Sequence, residues 1–309
     1  MARTAVEAWW HAAAWNSERP ELRALFLAAC AQFVRGVRVI DPAALAAVCG
    51  RPILFVANHQ VAVESMLAGM LLPPVIGRPL LALAKTEHQA TWVGQLAMGL
   101  NDAAHGPAIT FVDRSKQDEM LAKLAEMGRT AHDGSRALLV HVEGTRAQRG
   151  GQPVTTISAV WFDLAVRFGL TIVPLRFCGG LPQAGVRERQ EFPVGYGGQE
   201  FVIGRPIEGT LLAKLRLDER RDRVLASLAE LDAFDAAEPR GDAEFAARVS
   251  RAQMRWQLDE LRATFLLLKA GADGWALDDA GLPVEIPEAD ATDAFWGWFH
   301  DTAANTHGG

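Results

Sequence analysis

The chain has 309 residues, is 50% hydrophobic and carries a net charge of -6, which suits one large domain, alone or with an extension, and argues against a nucleic-acid partner. Three scattered cysteines exclude a disulfide framework or a cysteine-built zinc site and fit a reduced, cytosolic setting. No apolar run reaches the roughly 18 residues needed to span a bilayer, and the N-terminus lacks a signal-peptide core, so a lipid substrate would be met from one side, with peripheral contact on the inner face of the membrane.

Residues 5–35 read as helical, with Leu22, Leu25, Phe26, Ala29, Phe33 and Val34 at helical spacing. Trp9, Trp10 and Trp15 lie in or just before this pattern. Rings like these suit a lipid-facing hairpin or packing on the domain core, and the missing lysine-rich polar face favours the core. From Pro52 the pattern changes to short apolar runs, Ile53–Val56, Leu80–Ala84, Ile109–Val112, Ala137–Val142 and Thr171–Leu175, each the mark of a buried strand. Helical stretches fall between them near 61–72, 116–131 and 156–168, and Ser115 followed by Asp118 resembles an N-cap signal. Strands alternating with helices predict an α/β sheet with helices on its faces. Phe201–Ile203 adds a late strand.

After Gly209 the chain turns helical. Leu211–Leu231 is one expected helix, 232–242 a linker, Ala243–Lys269 a longer helix, Trp275–Pro287 a hairpin and Ala294–Ala304 a closing helix. Residues 210–309 carry a net charge of -8, which leaves the preceding part at +2. The expected organisation is an N-terminal helical segment (1–49), a catalytic domain (50–209) and an acidic, mostly helical extension (210–309).

Chemistry concentrates in four short segments. Asn58-His59-Gln60-Val61-Ala62-Val63-Glu64 follows a predicted strand, where α/β sheets place functional loops. Positions five apart on a helix are separated by about 140° around the axis, so His59 and Glu64 meet only if His59 sits on a turn and the chain wraps back. A carboxylate bonded to one imidazole nitrogen then fixes the tautomer and leaves the other nitrogen to take a proton. That is a catalytic triad without its serine, so the attacking hydroxyl or amine would come from the substrate. Phe111-Val112-Asp113-Arg114 and Glu143-Gly144-Thr145-Arg146 each bring an arginine to a strand end, suited to gripping an anion in a two-pronged way. Gly144 suits a tight turn whose N–H groups approach a ligand or an oxyanion. Ile172-Val173-Pro174-Leu175 is the fourth segment.

In order and spacing these segments resemble the four blocks of the glycerolipid acyltransferase family, best known for its 1-acylglycerol-3-phosphate acyltransferases, over roughly residues 50–205. Lys85 resembles a family lysine between the first two blocks. The resemblance implies a central mixed sheet flanked by helices, with N-terminal helices and a helical C-terminal extension. It implies acyl transfer from a coenzyme A or acyl carrier protein thioester to a lysophospholipid acceptor, with no cofactor and no metal. His59 would be the general base and Glu64 its partner. Lys85, Arg114 and Arg146 would surround the acceptor phosphate, while Glu143, Gly144 and Thr145 would order the third block or bind the acceptor. Three departures stand out. Glu64 replaces the usual aspartate, His141-Val142 replaces the usual Phe-Pro, and residues 152–166 lack the basic residue often found next. An amine, a non-phosphorylated alcohol or water therefore stays open as acceptor, as does a non-catalytic acyl-binding module. The acidic tail is similar to what would flank an acyltransferase domain cut from a bacterial polyunsaturated-fatty-acid synthase.

Overall fold

A computed structural model of the chain describes residues 3–12, 19–100, 108–113, 115–288 and 294–301. Seven strands form one mixed sheet: β1 (Val34–Val39), β2 (Ile53–Ala57), β3 (Leu80–Lys85), β4 (Ile109–Val112), β5 (Ala137–His141), β6 (Thr171–Cys178) and β7 (Gln199–Ile203). Their order is β1-β7-β6-β2-β5-β3-β4, parallel throughout except for the antiparallel β6–β7 pair. All five residues of β2 are buried, as its uninterrupted Ile-Leu-Phe-Val-Ala run requires of a strand covered on both faces. β6 is buried along its whole length. Pro174 stands inside it, accepting but unable to donate, and its carbonyl takes the Gly204 N–H at 2.8 Å.

Helices cover both faces. On one, Pro20–Phe33 presents Leu22, Leu25, Phe26, Ala29 and Phe33 to the core, packed against helices Glu64–Leu71 and Glu260–Asp273. On the other, Gln117–His132, Ala159–Phe168 and Leu217–Ala229 enclose a second apolar cluster around Leu54, Val56, Leu138 and Ile172. Trp10 is half-buried against the core and donates Nε1–H to the Met70 carbonyl at 3.0 Å. Trp15 lies outside the described residues. Among the described residues, no helix is long and apolar enough to cross a membrane.

Several local expectations change. The helix expected to run to residue 35 ends at Phe33, and Val34 opens β1, whose β-branched Val34, Val37 and Val39 pair in parallel with β7. A strand of the sheet thus precedes residue 50. Ser115 does not cap the next helix: both its N–H and its Oγ turn back to Asp113 Oδ1, at 2.9 and 2.6 Å. The stretch 211–231 divides into Gly209–Leu212 and Leu217–Ala229. The stretch 243–269 divides into Ala243–Trp256 and Glu260–Asp273, because Gln257 adopts a left-handed φ of 55° and Asp259 caps the second helix by accepting the Arg262 N–H. In the expected hairpin, Leu277 and Pro283 form an antiparallel bridge.

The largest change concerns the expected linker 232–242. Asp232–Asp235 is a short 3₁₀ turn, and the Asp235 side chain is fully buried against the equally buried Arg176 of β6. Asp235 Oδ2 accepts from Gln60 Nε2 at 2.7 Å, the Gly151 N–H at 3.0 Å and Arg176 Nη2 at 3.2 Å, while Oδ1 accepts the Gly179 N–H at 2.9 Å. Arg176 Nη1 also lies 2.7 Å from Asp232. A buried charge this well partnered is costly to unpair. Asp235→Ala should therefore destabilise the fold by about 3–5 kcal/mol in chemical denaturation, whereas Asp279→Ala on the exposed hairpin should stay within about 0.5 kcal/mol.

Candidate active site

The carboxyl ends of β2, β3 and β5 open into a cleft of about 480 Å³ whose walls include His59, Ser65, Lys85, His88, Trp92, His141, Gly144, Arg146 and Glu191. His59 lies two residues beyond β2, on the turn that leads into helix Glu64–Leu71. Asn58 holds the start of that turn. Its side chain donates Nδ2–H to the Phe177 carbonyl at 2.9 Å and accepts the Phe177 N–H at 2.7 Å, extending the β2–β6 ladder by one side chain. The His59 backbone is then clamped on both sides: its N–H donates to Glu143 Oε2 at 3.1 Å and its carbonyl accepts the Ala147 N–H at 2.7 Å.

The chain wraps back as the spacing demanded. Glu64 Oε2 lies 3.0 Å from His59 Nδ1 and accepts the Gln60 N–H at 2.9 Å, while Oε1 accepts from Gln199 Nε2 at 2.8 Å. The side chain is wholly buried, and burial pushes its pKa up to about 7 against the lowering effects of His141, Gln199 and the Gln60 and Val61 backbone. The longer glutamate arm thus takes the His59 turn and β7 together. Gly180 keeps this route open, since a Cβ there would stand 2.3 Å from Gln199 Nε2.

A second imidazole lies against the first. His141, the last residue of β5, pairs with Ala57 in register, and its ring stacks on His59 with centroids 3.8 Å apart and planes 21° from parallel. His141 Nδ1 is 2.6 Å from the Asn58 carbonyl and Nε2 is 2.8 Å from Ser65 Oγ. Burial first, then neighbouring positive groups, holds the pair neutral: His59 is lowered to about 3 by burial, Arg146, His88 and Arg189, and His141 to about 3 by burial and His59. Glu143 is raised to about 7, chiefly by burial.

His59, Glu64 and His141 bring ligand atoms within 4.8 Å of one another. His59 Nδ1, Glu64 Oε2 and both ring nitrogens of His141 each have a hydrogen-bond partner.

Arg146 lines the cleft, but its Nη1 donates to Glu191 Oε1 at 2.8 Å and to the Gln190 carbonyl at 2.7 Å. Glu191 is pinned from its other side by Trp92 Nε1 at 2.8 Å. Lys85 also lines the cleft, 3.1 Å from Glu87. Gly144 has the left-handed φ of 70° that a tight turn after β5 requires, and its N–H turns back to the His141 carbonyl at 3.4 Å. Glu143 faces the His59 backbone and Thr145 is exposed, and neither lines the cleft. Arg114 lies outside the described residues. Sequence reasoning missed Ser65, Trp92, Glu191, Gln199 and Asp235, and met His141 only as a departure from a pattern. A histidine ending a buried strand beside the first block was the signal available.

Residues 35–177 match the family model described as Acyltransferase, a span that runs from within β1 to within β6 and includes every cleft residue named above except Glu191. No curated protein matches the chain.

In an NMR titration both imidazoles should remain neutral well below the ordinary pKa of 6.5, with midpoints near 3. Arg146→Gln removes one of the charges that lower His59, so the His59 midpoint should rise more than that of His141.

Proposed function

The chain carries an acyltransferase-family domain, matched over residues 35–177, and from that premise we propose that this protein transfers an acyl chain from a coenzyme A or acyl carrier protein thioester to the sn-2 hydroxyl of 1-acylglycerol-3-phosphate. The observation that carries this reading is the His59–Glu64 pair, 3.0 Å apart, with His59 lining the cleft and Glu64 buried behind it. Ionised Glu64 accepts the Nδ1 proton and orients the ring. Nε2 then takes the proton of the acceptor hydroxyl as its oxygen attacks the thioester carbonyl. The C–S bond breaks and the thiolate leaves as thiol with that proton. Lys85 and Arg146 give the cleft the cationic lining that a phosphorylated acceptor needs.

The Arg146–Glu191 pair supports a second reading, in which the acceptor is an amine, a non-phosphorylated alcohol or water. A guanidinium already held by a carboxylate and a carbonyl has less to offer a phosphate. Arg146→Ala separates the two. A phosphorylated acceptor should show a KM about tenfold higher or more, which corresponds to roughly 1.4 kcal/mol of lost binding. An unchanged KM would select the second reading.

His59→Ala and Glu64→Gln should each lower kcat by about 10²–10⁴-fold while the far-ultraviolet circular dichroism stays unchanged. Glu64 must be ionised to orient the ring, and its pKa is raised to about 7. In assays across pH, kcat/KM should therefore hold above about 7 and fall as the pH drops through that value.

A further inference from the structure

The reaction above leaves one pair of cleft side chains without a task. Ser65, the second residue of helix Glu64–Leu71, opens onto the cleft with its Oγ 2.8 Å from His141 Nε2. The Asn58 carbonyl can only accept, so His141 carries its proton on Nδ1 and Nε2 presents a lone pair to the Ser65 hydroxyl. This fixes the tautomer in which a histidine draws the proton from a serine, with a backbone carbonyl standing where a carboxylate usually orients the ring. Burial keeps His141 neutral and able to accept.

Two further features set this pair apart from an ordinary structural hydrogen bond. Ser65 lines both the main cleft and a second, small cavity of about 50 Å³ in which Met66, Met70, Leu80, Leu100 and Ile109 lie alongside Arg23 and Arg136, so apolar surface stands beside the hydroxyl. The stacked His59 and His141 rings also put two imidazoles with separate partners on one cleft, one held by Glu64 and one holding Ser65.

We propose that Ser65, activated by His141, is a nucleophile that accepts the acyl group of a thioester, giving the protein an acyl-enzyme route and a thioesterase activity independent of a lipid acceptor. The inference rests on the reading that this cleft receives acyl thioesters. As Ser65 Oγ bonds to the carbonyl carbon, its proton passes to His141 Nε2. The C–S bond then breaks, and the departing thiolate takes that proton and leaves as thiol. In the second half His141 Nε2 removes a proton from water or an alcohol, whose oxygen attacks the serine ester. The bond from carbonyl carbon to Oγ breaks, and Ser65 recovers the proton from His141.

The test uses the full chain and dodecanoyl-coenzyme A without any acceptor, quenched within one turnover and read by intact-protein and peptide mass spectrometry. The expected result is a single dodecanoyl adduct on the peptide containing Ser65 in the wild type. Ser65→Ala should show no adduct and acceptor-free thiol release about 10²–10⁴-fold slower. Ser65→Cys should restore an adduct, now labile to hydroxylamine, which shows that the site is intact. An adduct on another residue, no adduct in the wild type, or wild-type thiol release by Ser65→Ala overturns the proposal. Transfer to lysophosphatidate, measured in parallel, keeps the two readings apart. Transfer that persists without any Ser65 adduct overturns only the serine route. A Ser65 adduct without transfer supports that route and overturns only the lipid acceptor.

Discussion

A carboxylate with no access to water must find a donor on every side, and Glu64 organises the centre of this molecule around that requirement. Its partners are the His59 ring, the Gln60 backbone and the Gln199 amide. The first two close the turn after β2, and the third reaches across to β7 at the other side of β6. The charge costs free energy to bury, which shows in its raised pKa, and three directed hydrogen bonds offset that cost. An aspartate would be one methylene shorter between the same helix start and the same amide. The glutamate therefore suits a site in which β7 helps to fix His59.

Around this carboxylate the fold supplies rigidity from several directions. Parallel β2 and β5 end side by side, so a histidine at the end of one falls against a histidine just past the end of the other. Asn58 and Glu143 clamp the backbone between them. Gln60 carries the connection outward to Asp235 and Arg176, and so to a segment more than 150 residues later in the chain. The region after residue 209 is thus structural to the site. Asp235 locks the turn next to His59, and helix Glu260–Asp273 closes the core over helix Pro20–Phe33.

Electrostatics in the cleft follow from burial more than from net charge. Both imidazoles are held neutral, two carboxyl groups are held near neutral pH, and the arginine that could have dominated the field is paired with Glu191. The cleft's polarity toward substrate is left to Lys85, His88 and the exposed Arg189, which stands close enough to lower His59.

Local pattern determined a good deal by itself. The apolar runs at 53, 80, 109, 137 and 171 are strands because short, unbroken apolar runs bounded by polar turns suit a sheet covered on both faces, and the spacing of His59 and Glu64 already demanded a turn. The helices at 64–71, 117–132 and 159–168 follow for the same reason of period. What pattern could not decide was anything resting on a partner far away in sequence. Val34 becomes a strand because β7 pairs with it, Gln199 and Asp235 become part of the site because β6 and β7 deliver them, and Arg146 meets a carboxylate 45 residues on. Those contacts depend on sheet order and on the direction of β7. Residue order along the chain specifies local conformation directly, and specifies such distant pairings only through the packed whole.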